Sequence, residues 1–512
     1  MTLARTWSIG LTGVTGHLVT VEADLSAGLP GTAVIGMPDP AIIQSRDRIR
    51  AAIVNSGHKW PDRRITLALS PAGLRKSGAG YDIALAVAVL AAAGVVPAGA
   101  AGECVLIGEL GLDGAMRPVR GVLPALLAAR AAGRTRAVVP LGNLAEAALV
   151  TGMAVWGAPT LADLIASLMG RNHAMVKGVA PGPAGSDRDA PDLADVLGQP
   201  EARLALEVAA AGGHHLFLKG PPGVGKTLLA ERLPGLLPEL GQAEALEVSA
   251  IRSVCGLGLD GLVSVPPFSA PHHSASVAAL VGGGSRMAMP GAVSLAHHGV
   301  LFLDEAPEFS PRALEALRTP LESGQVVLAR SLAQTTYPAR FQLVLAANPC
   351  PCGNYGRRGL QCQCPPQAVR RYRERLSGPI LDRVDITCHL RPMTRAYLRA
   401  VGVGESTAVV GERVRAARDR QRVRLAAGGW TTNAAVPGPY LRRELPLPRG
   451  VALLDSEVAR GRLSARGVDK VLRIAWTLAD LAGRDRPAKE DLMAAVGMRR
   501  GEDDGEGVTG VA

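Results

Sequence analysis

The stretch His214-His-Leu-Phe-Leu-Lys-Gly-Pro-Pro-Gly-Val-Gly-Lys-Thr227 carries an apolar run straight into Gly220-x-x-x-x-Gly225-Lys226-Thr227. A buried strand that ends in this pattern is the phosphate-cradling P-loop. Its glycines let backbone N–H groups curl around phosphate oxygens, and the following helix offers its N-terminus to negative charge. Gly220, Pro221, Pro222, Gly223, Val224, Gly225, Lys226 and Thr227 are therefore the expected ATP-binding residues. Lys226 can reach the β- and γ-phosphates, and the Thr227 hydroxyl can ligate Mg2+.

Working outward, Val300-Leu-Phe-Leu303 is another fully apolar run of the kind buried in a parallel sheet, and it ends in Asp304-Glu305. This is the layout of a Walker B strand. Asp304 is expected to hold Mg2+ and Glu305 to orient and deprotonate the attacking water. Further apolar strands are expected at 215–219 and 342–346. Alternating with helical segments, they predict a doubly wound α/β core.

Length and composition bound the rest. A chain of 512 residues exceeds the size of one hydrophobic core, so two or three domains are expected. With 47% hydrophobic, 20% charged and 3% aromatic residues it reads as a globular chain with aliphatic cores. The longest apolar segment, Ile83 to Val96, is too short to span a bilayer, and the first residues lack a secretion signal. A cytoplasmic location without membrane contact is the expectation. The net charge of +11 biases partners toward polyanions, although a solvated basic surface fits it equally well.

The domain expectation is as follows. Residues 1–172 mix alternating runs such as Thr20-Val-Glu-Ala23 with Ala/Leu-rich helices at 82–94 and 122–133, an α+β pattern. Residues 173–190, rich in Gly and Pro, form a linker; 191–392 form the ATPase core; 393–500 form a helical domain. The acidic, Gly-rich 501–512 are a disordered tail.

Five further segments carry a family resemblance. Asp192-Leu-Ala-Asp-Val-Leu-Gly-Gln199, Ala270-Pro-His-His-Ser-Ala-Ser276, Val300 to Phe309, Ala347-Asn-Pro-Cys-Pro-Cys-Gly353 and Ser377-Gly-Pro-Ile-Leu-Asp-Arg-Val-Asp385, in this order, resemble the magnesium-chelatase-like AAA+ ATPases of the ComM type. The likeness covers nearly the whole chain. It implies that Asn348 is sensor 1, Arg383 an arginine finger acting on a neighbouring subunit's nucleotide, and Arg466, opening the helix that runs to Leu481, sensor 2 of a helical lid. It also implies a Lon-protease-like N-terminal domain, carried by Arg75 to Asp82 and Ile107 to Gly121. Where a Lon-type protease has its serine and lysine, this chain has Gly80 and Leu123, so no proteolytic dyad is expected. The segment 323–338 resembles a hairpin that lines the ring's pore, with Arg330 near its tip as a DNA phosphate contact. The family usually carries Arg where this chain has Ser269.

Function follows the same resemblance. It implies an ATP-dependent, hexameric DNA motor that drives branch migration on branched or single-stranded DNA in natural transformation. The alternative is the motor subunit of a magnesium or cobalt chelatase, disfavoured because such subunits are expected to lack the N-terminal domain and because the partner's DxSxS motif is absent. Finally, four of seven cysteines fall in Cys350-x-Cys352 and Cys362-x-Cys364. Four clustered thiolates suffice for tetrahedral Zn2+, while the one-residue gaps fit reduced loop thiols equally well. The pairs His272-His273 and His297-His298 are expected to be scaffolding, and Cys104, Cys255 and Cys388 core.

Overall fold

The computed structural model describes residues 3–501 except 37–38, 75, 77, 181–190, 285–287, 331–332, 356–360, 377 and 393–403. The expected tail therefore lies almost wholly outside the described residues. The chain divides into two compact units, one of Met1–Ser186, Gln242–Val263 and Val327–Tyr337, the other of Asp187–Gly241, Ser264–Val326 and Pro338–Ala512. The helix Gln242–Cys255 and residues 327–337, which a contiguous ATPase core at 191–392 would have included, thus group with the N-terminal residues. Sequence position and compactness part company here because Leu259, Leu246 and Leu262 bury their apolar surface against the Val122, Leu123 and Leu126 cluster.

The first unit is built on an eight-stranded sheet whose centre is the antiparallel pair Leu3–Thr12 and Thr15–Ser26. In the second of these strands Val19, Val21, Ala23 and Leu25 alternate inward, so the period-two pattern buries one face. Every residue of the helix Asp82–Ala92 is buried. Asp82 tolerates this because Arg48 donates to it at 2.8 Å and the Leu110 N–H at 3.2 Å. Within the expected linker 173–190 lies a short strand. Val176–Lys177 pairs antiparallel with Ala154–Ala158 as an edge strand, a backbone pairing that needs no apolar period, and 181–190 lie outside the described residues.

The second unit contains a five-stranded, all-parallel sheet in the spatial order Phe268–Ser269, Val300–Leu303, Gln342–Ala347, Leu216–Lys219, Ile386–His389. Val300–Leu303 and Gln342–Ala347 are buried at every position, as strands covered on both faces must be. The first strand in sequence lies between the fourth and the fifth. That reversal of order is the switch point outside whose carboxyl ends open α/β sheets bind ligands. Among the described residues after 403, helices alone follow: Thr407–Leu425, Gly438–Arg443, Ala452–Ala459, Ala465–Leu481 and Lys489–Arg500 are the α-helices.

A buried polar cluster fastens these helices to the sheet. His214, just ahead of the strand Leu216–Lys219, shares a 2.8 Å hydrogen bond with Thr477. Asp385, just ahead of the last strand, accepts from Lys470 at 2.8 Å and from the His215 N–H at 3.0 Å. Both Lys470 and Thr477 lie on the helix Ala465–Leu481. Burial pushes His214 down to about 4, with Asp385 opposing the shift, and lowers His215 for the same reason. Against a burial that would raise it, Lys470 and the two histidines hold Asp385 well below the usual carboxylate range.

The sign of the pH effect follows. His214 is protonated in the unfolded chain near its ordinary value and in the folded chain only near 4. The unfolded state takes up the proton first, so stability declines as pH falls from about 6.5 to about 4, by about 1.4 kcal/mol per unit for one such histidine. Thermal melts across that range should show the decline, and His214→Asn should flatten it; an unchanged slope in the variant would remove His214 from the account.

Candidate active site

Three strand ends converge at the switch point. After Lys219 the chain enters the P-loop, where Gly223 and Gly225 have φ of +77° and +92°, a region closed to most side chains. The helix Lys226–Leu236 then starts without any side-chain cap. Its first N–H groups are left for an anion, with the helix dipole adding to the attraction. Lys226 folds over the loop, donating to the carbonyls of Gly220 at 2.7 Å and Pro221 at 3.0 Å and to Asn348 Oδ1 at 2.9 Å. Burial lowers its pKa, partly offset by Asp304 and Glu305.

The Walker strand ends beside this loop. Thr227 Oγ1 donates to Asp304 Oδ2 at 2.7 Å, and Asp304 Oδ1 accepts the Glu305 N–H at 2.8 Å. Glu305 adopts a left-handed backbone, φ +48°, at a non-glycine residue. Such strain persists where surrounding structure fixes a side chain's direction. A hydroxyl and a carboxylate in contact form the hard oxygen donor set that suits Mg2+, so the residues present fit that ion. When bound, Mg2+ neutralises charge on the β- and γ-phosphates.

Sequence reasoning missed one member of this site. His273 Nδ1 lies 3.3 Å from Glu305 Oε2, the two side chains 35% and 50% exposed. The available signal was positional: Ala270-Pro-His-His273 directly follows Phe268–Ser269, which pairs parallel with the Walker strand. In the other histidine pair His297 is buried, its Nδ1 accepting the Arg340 N–H at 2.9 Å.

The two arginines assigned by resemblance sit elsewhere. Arg383 donates to the Pro379 carbonyl at 2.6 Å, is ion-paired with Glu322, and keeps a buried Nε without a hydrogen-bond partner. Arg466 pairs with Asp382 at 3.2 Å and is largely exposed. Both line a cleft of about 320 Å3 shared with Glu322, Asp382 and Lys470, which no P-loop residue lines. Within one chain, Lys226, Thr227, Asp304, Glu305 and Asn348 are brought together, and Arg383 and Arg466 are not. Arg330 ends the strand Gln325–Arg330, paired with Ala333–Pro338, and its side chain lies outside the described residues. The sulfur atoms of Cys350, Cys352, Cys362 and Cys364 all lie within 4.8 Å of one another. Cys388 is buried, as expected, whereas Cys104 and Cys255 are only half-buried.

The remaining regions agree with known proteins along the whole chain. Family models described as magnesium chelatase, subunit ChlI, as subunit ChlI of Mg-chelatase and as the subunit ChlI C-terminal region match residues 192–398, 21–143 and 404–499. The competence protein ComM of Haemophilus influenzae is 39% identical over 507 residues, covering 98% of each chain. The chain belongs to the magnesium-chelatase ChlI/ComM family of AAA+ ATPases. A Mycobacterium tuberculosis protein is 54% identical over 504 residues, 98% of this chain and 99% of its own. A more distant likeness, 25% over 293 residues and 54% of this chain against 66% of the other, is to the Holliday junction branch migration complex subunit RuvB of Mycobacterium avium.

This ChlI/ComM family member is an ATP hydrolase, with the AAA+ core and the C-terminal helical region its family models describe. The model matched at 21–143 carries the description of subunit ChlI of Mg-chelatase.

Glu305→Gln should lower ATP turnover at least about 100-fold while nucleotide binding persists. His273→Ala should lower turnover by a smaller factor at unchanged nucleotide affinity, because its contact at the site is with Glu305 Oε2 at 3.3 Å. Full turnover in His273→Ala would reduce that contact to surface electrostatics.

Proposed function

We propose that this ATPase is a ring-forming DNA motor, a hexameric helicase that drives branch migration of recombination intermediates, with natural transformation as its setting. The observation that carries the reading is likeness to the competence protein ComM over 98% of both chains. The likeness to a Holliday junction branch migration subunit and the net charge of +11 point the same way.

The proposed division of labour uses the geometry above. Lys226 and the P-loop N–H groups bind the phosphates, Thr227 and Asp304 hold Mg2+, Glu305 takes the proton of the lytic water, and Asn348 positions that water. Arg383 supplies a cation to the nucleotide of the adjoining protomer, where a rigid guanidinium suits charge developing on the transferring phosphoryl group. Two features support action in trans: Arg383 lines a cleft without P-loop residues, and its Nε has no partner. Arg466, in the same cleft, we assign to nucleotide sensing, and Arg330 to the DNA backbone. No described helix is long and apolar enough to cross a membrane.

The N-terminal unit we read as a Lon-protease-like assembly or binding module without proteolysis. Leu123 is fully buried, and Lys76 is buried with its Nζ donating to the Gly36 and Pro71 carbonyls. A second reading, the motor subunit of a magnesium or cobalt chelatase, is favoured by the descriptions of all three family models.

ATPase rates measured with Holliday-junction DNA, single-stranded DNA and no nucleic acid separate the two. The DNA reading expects stimulation by branched or single-stranded DNA that weakens as salt rises. Turnover indifferent to every DNA at low salt would favour the chelatase reading. Arg383→Ala should keep nucleotide binding and lose about 1,000-fold in the turnover of the assembled ring; wild-type turnover in that variant would overturn action in trans.

A further inference from the structure

Sensor strand Gln342–Ala347 runs through Asn348 directly into the first cysteine pair. Cys350 Sγ lies 3.4 Å from Cys352 Sγ and 3.6 Å from Cys362 Sγ, and Cys352 Sγ lies 3.6 Å from Cys362 Sγ. A disulfide needs about 2.05 Å between sulfurs. Four thiolates around one Zn2+, each at about 2.3 Å, stand about 3.8 Å apart at the edges of the tetrahedron. The three separations among Cys350, Cys352 and Cys362 match the second arrangement, and Cys364 Sγ lies within 4.8 Å of the others.

The surroundings suit a bound thiolate cluster. The Tyr355 N–H points at Cys350 Sγ from 3.3 Å, a donor of the kind that orients metal ligands. Arg373 stacks on the Tyr355 ring at 4.8 Å and donates to the Pro349 carbonyl at 3.3 Å. A divalent ion with four thiolates carries net negative charge, and this guanidinium is placed to offset it. Cys350 is buried, while Cys352 is exposed. The cluster is thus anchored on the inside and open to metal from the outside.

The same loop touches the nucleotide site twice. Asn348, two residues before Cys350, accepts the hydrogen bond from Lys226. Gly353 closes the turn by donating to the Cys350 carbonyl at 3.0 Å, and at φ +78° a Cβ there would meet Pro222 Cδ of the P-loop at 2.4 Å.

We propose that Cys350, Cys352, Cys362 and Cys364 hold one structural zinc ion, and that this knuckle fixes Asn348 and Pro222 so that metal loss disables ATP turnover. Binding replaces the thiol protons, up to four, which pass to solvent. The metal site stands on the sulfur geometry alone; its effect on turnover rests on the ATPase reading.

The test starts with the full chain purified without chelator and its metals measured. About one zinc per chain is expected. Depleting the wild-type chain with a chelator under reducing conditions, then adding Co2+, should give the visible spectrum of a tetrahedral cobalt thiolate. Cys352→Ser and Cys364→Ser should each lose metal, and depletion should lower ATP turnover at least about 10-fold, with recovery on returning zinc. Zinc far below one per chain with no cobalt spectrum overturns the site, as does iron in place of zinc. Stoichiometric zinc whose removal leaves turnover intact overturns the coupling. A chain that carries zinc yet hydrolyses no ATP overturns the ATPase reading and with it the coupling, while the site stands.

Discussion

The contact between Thr227 Oγ1 and Asp304 Oδ2, 2.7 Å long, is the one on which the ATP site depends, because it joins the P-loop helix to the Walker strand. It forms only if Leu216–Lys219 sits between Gln342–Ala347 and Ile386–His389 in a parallel sheet, so that Lys219, Leu303 and Ala347 end at one edge. Lys226 then closes the third side through Asn348. Lys226, Asp304 and Asn348 are strong hydrogen-bonding or charged groups, buried or half-buried, that cost free energy if left alone there. Satisfying one another, they keep the cradle shaped for a phosphate chain.

That edge needs a fixed frame, and the buried cluster of His214, Asp385, Lys470 and Thr477 supplies it. Lys470 and Asp385 are each less than a tenth exposed, so neither has water as an alternative partner. Removing one member of such a pair costs about 3–5 kcal/mol because a buried charge is stranded. Asp480 extends the network, fully buried and accepting from Arg424 and Asn433 at 2.7 and 2.9 Å. The helix Ala465–Leu481, which bears Arg466 at its start, is thereby held to the strands that end at the nucleotide site.

What was legible in the sequence was local. Apolar runs that stop at Lys219, Leu303 and Ala347 announce buried strands, and the residues after them can be matched to phosphate chemistry by their types and spacing. What escaped depends on which elements lie side by side. His273 reaches Glu305 only because the short strand Phe268–Ser269 pairs next to Val300–Leu303, and a two-residue strand has no readable period. Glu322 finds Arg383 across sixty-one positions. The grouping of 242–263 and 327–337 with the N-terminal unit was hidden for the same reason, since an amphipathic segment shows that it packs and not against what.

The two kinds of ion pair in the ATPase unit differ in what they permit. Lys470 and Asp385 are shielded from solvent, so their geometry is fixed and the helix Ala465–Leu481 cannot drift without stranding a charge. The Arg383 and Glu322 pair is asymmetric, the arginine side chain 14% exposed and the glutamate 65%. The glutamate keeps water as an alternative partner, so exchanging it for another anion costs less than breaking a pair buried on both sides. A phosphate oxygen offers stronger charge-assisted bonds than a hydrated carboxylate does, and the unpaired Nε gives it a donor that Glu322 does not use. On the reading proposed above, the fold therefore spends its rigidity on the frame and leaves Arg383 under a restraint that an adjoining nucleotide can displace.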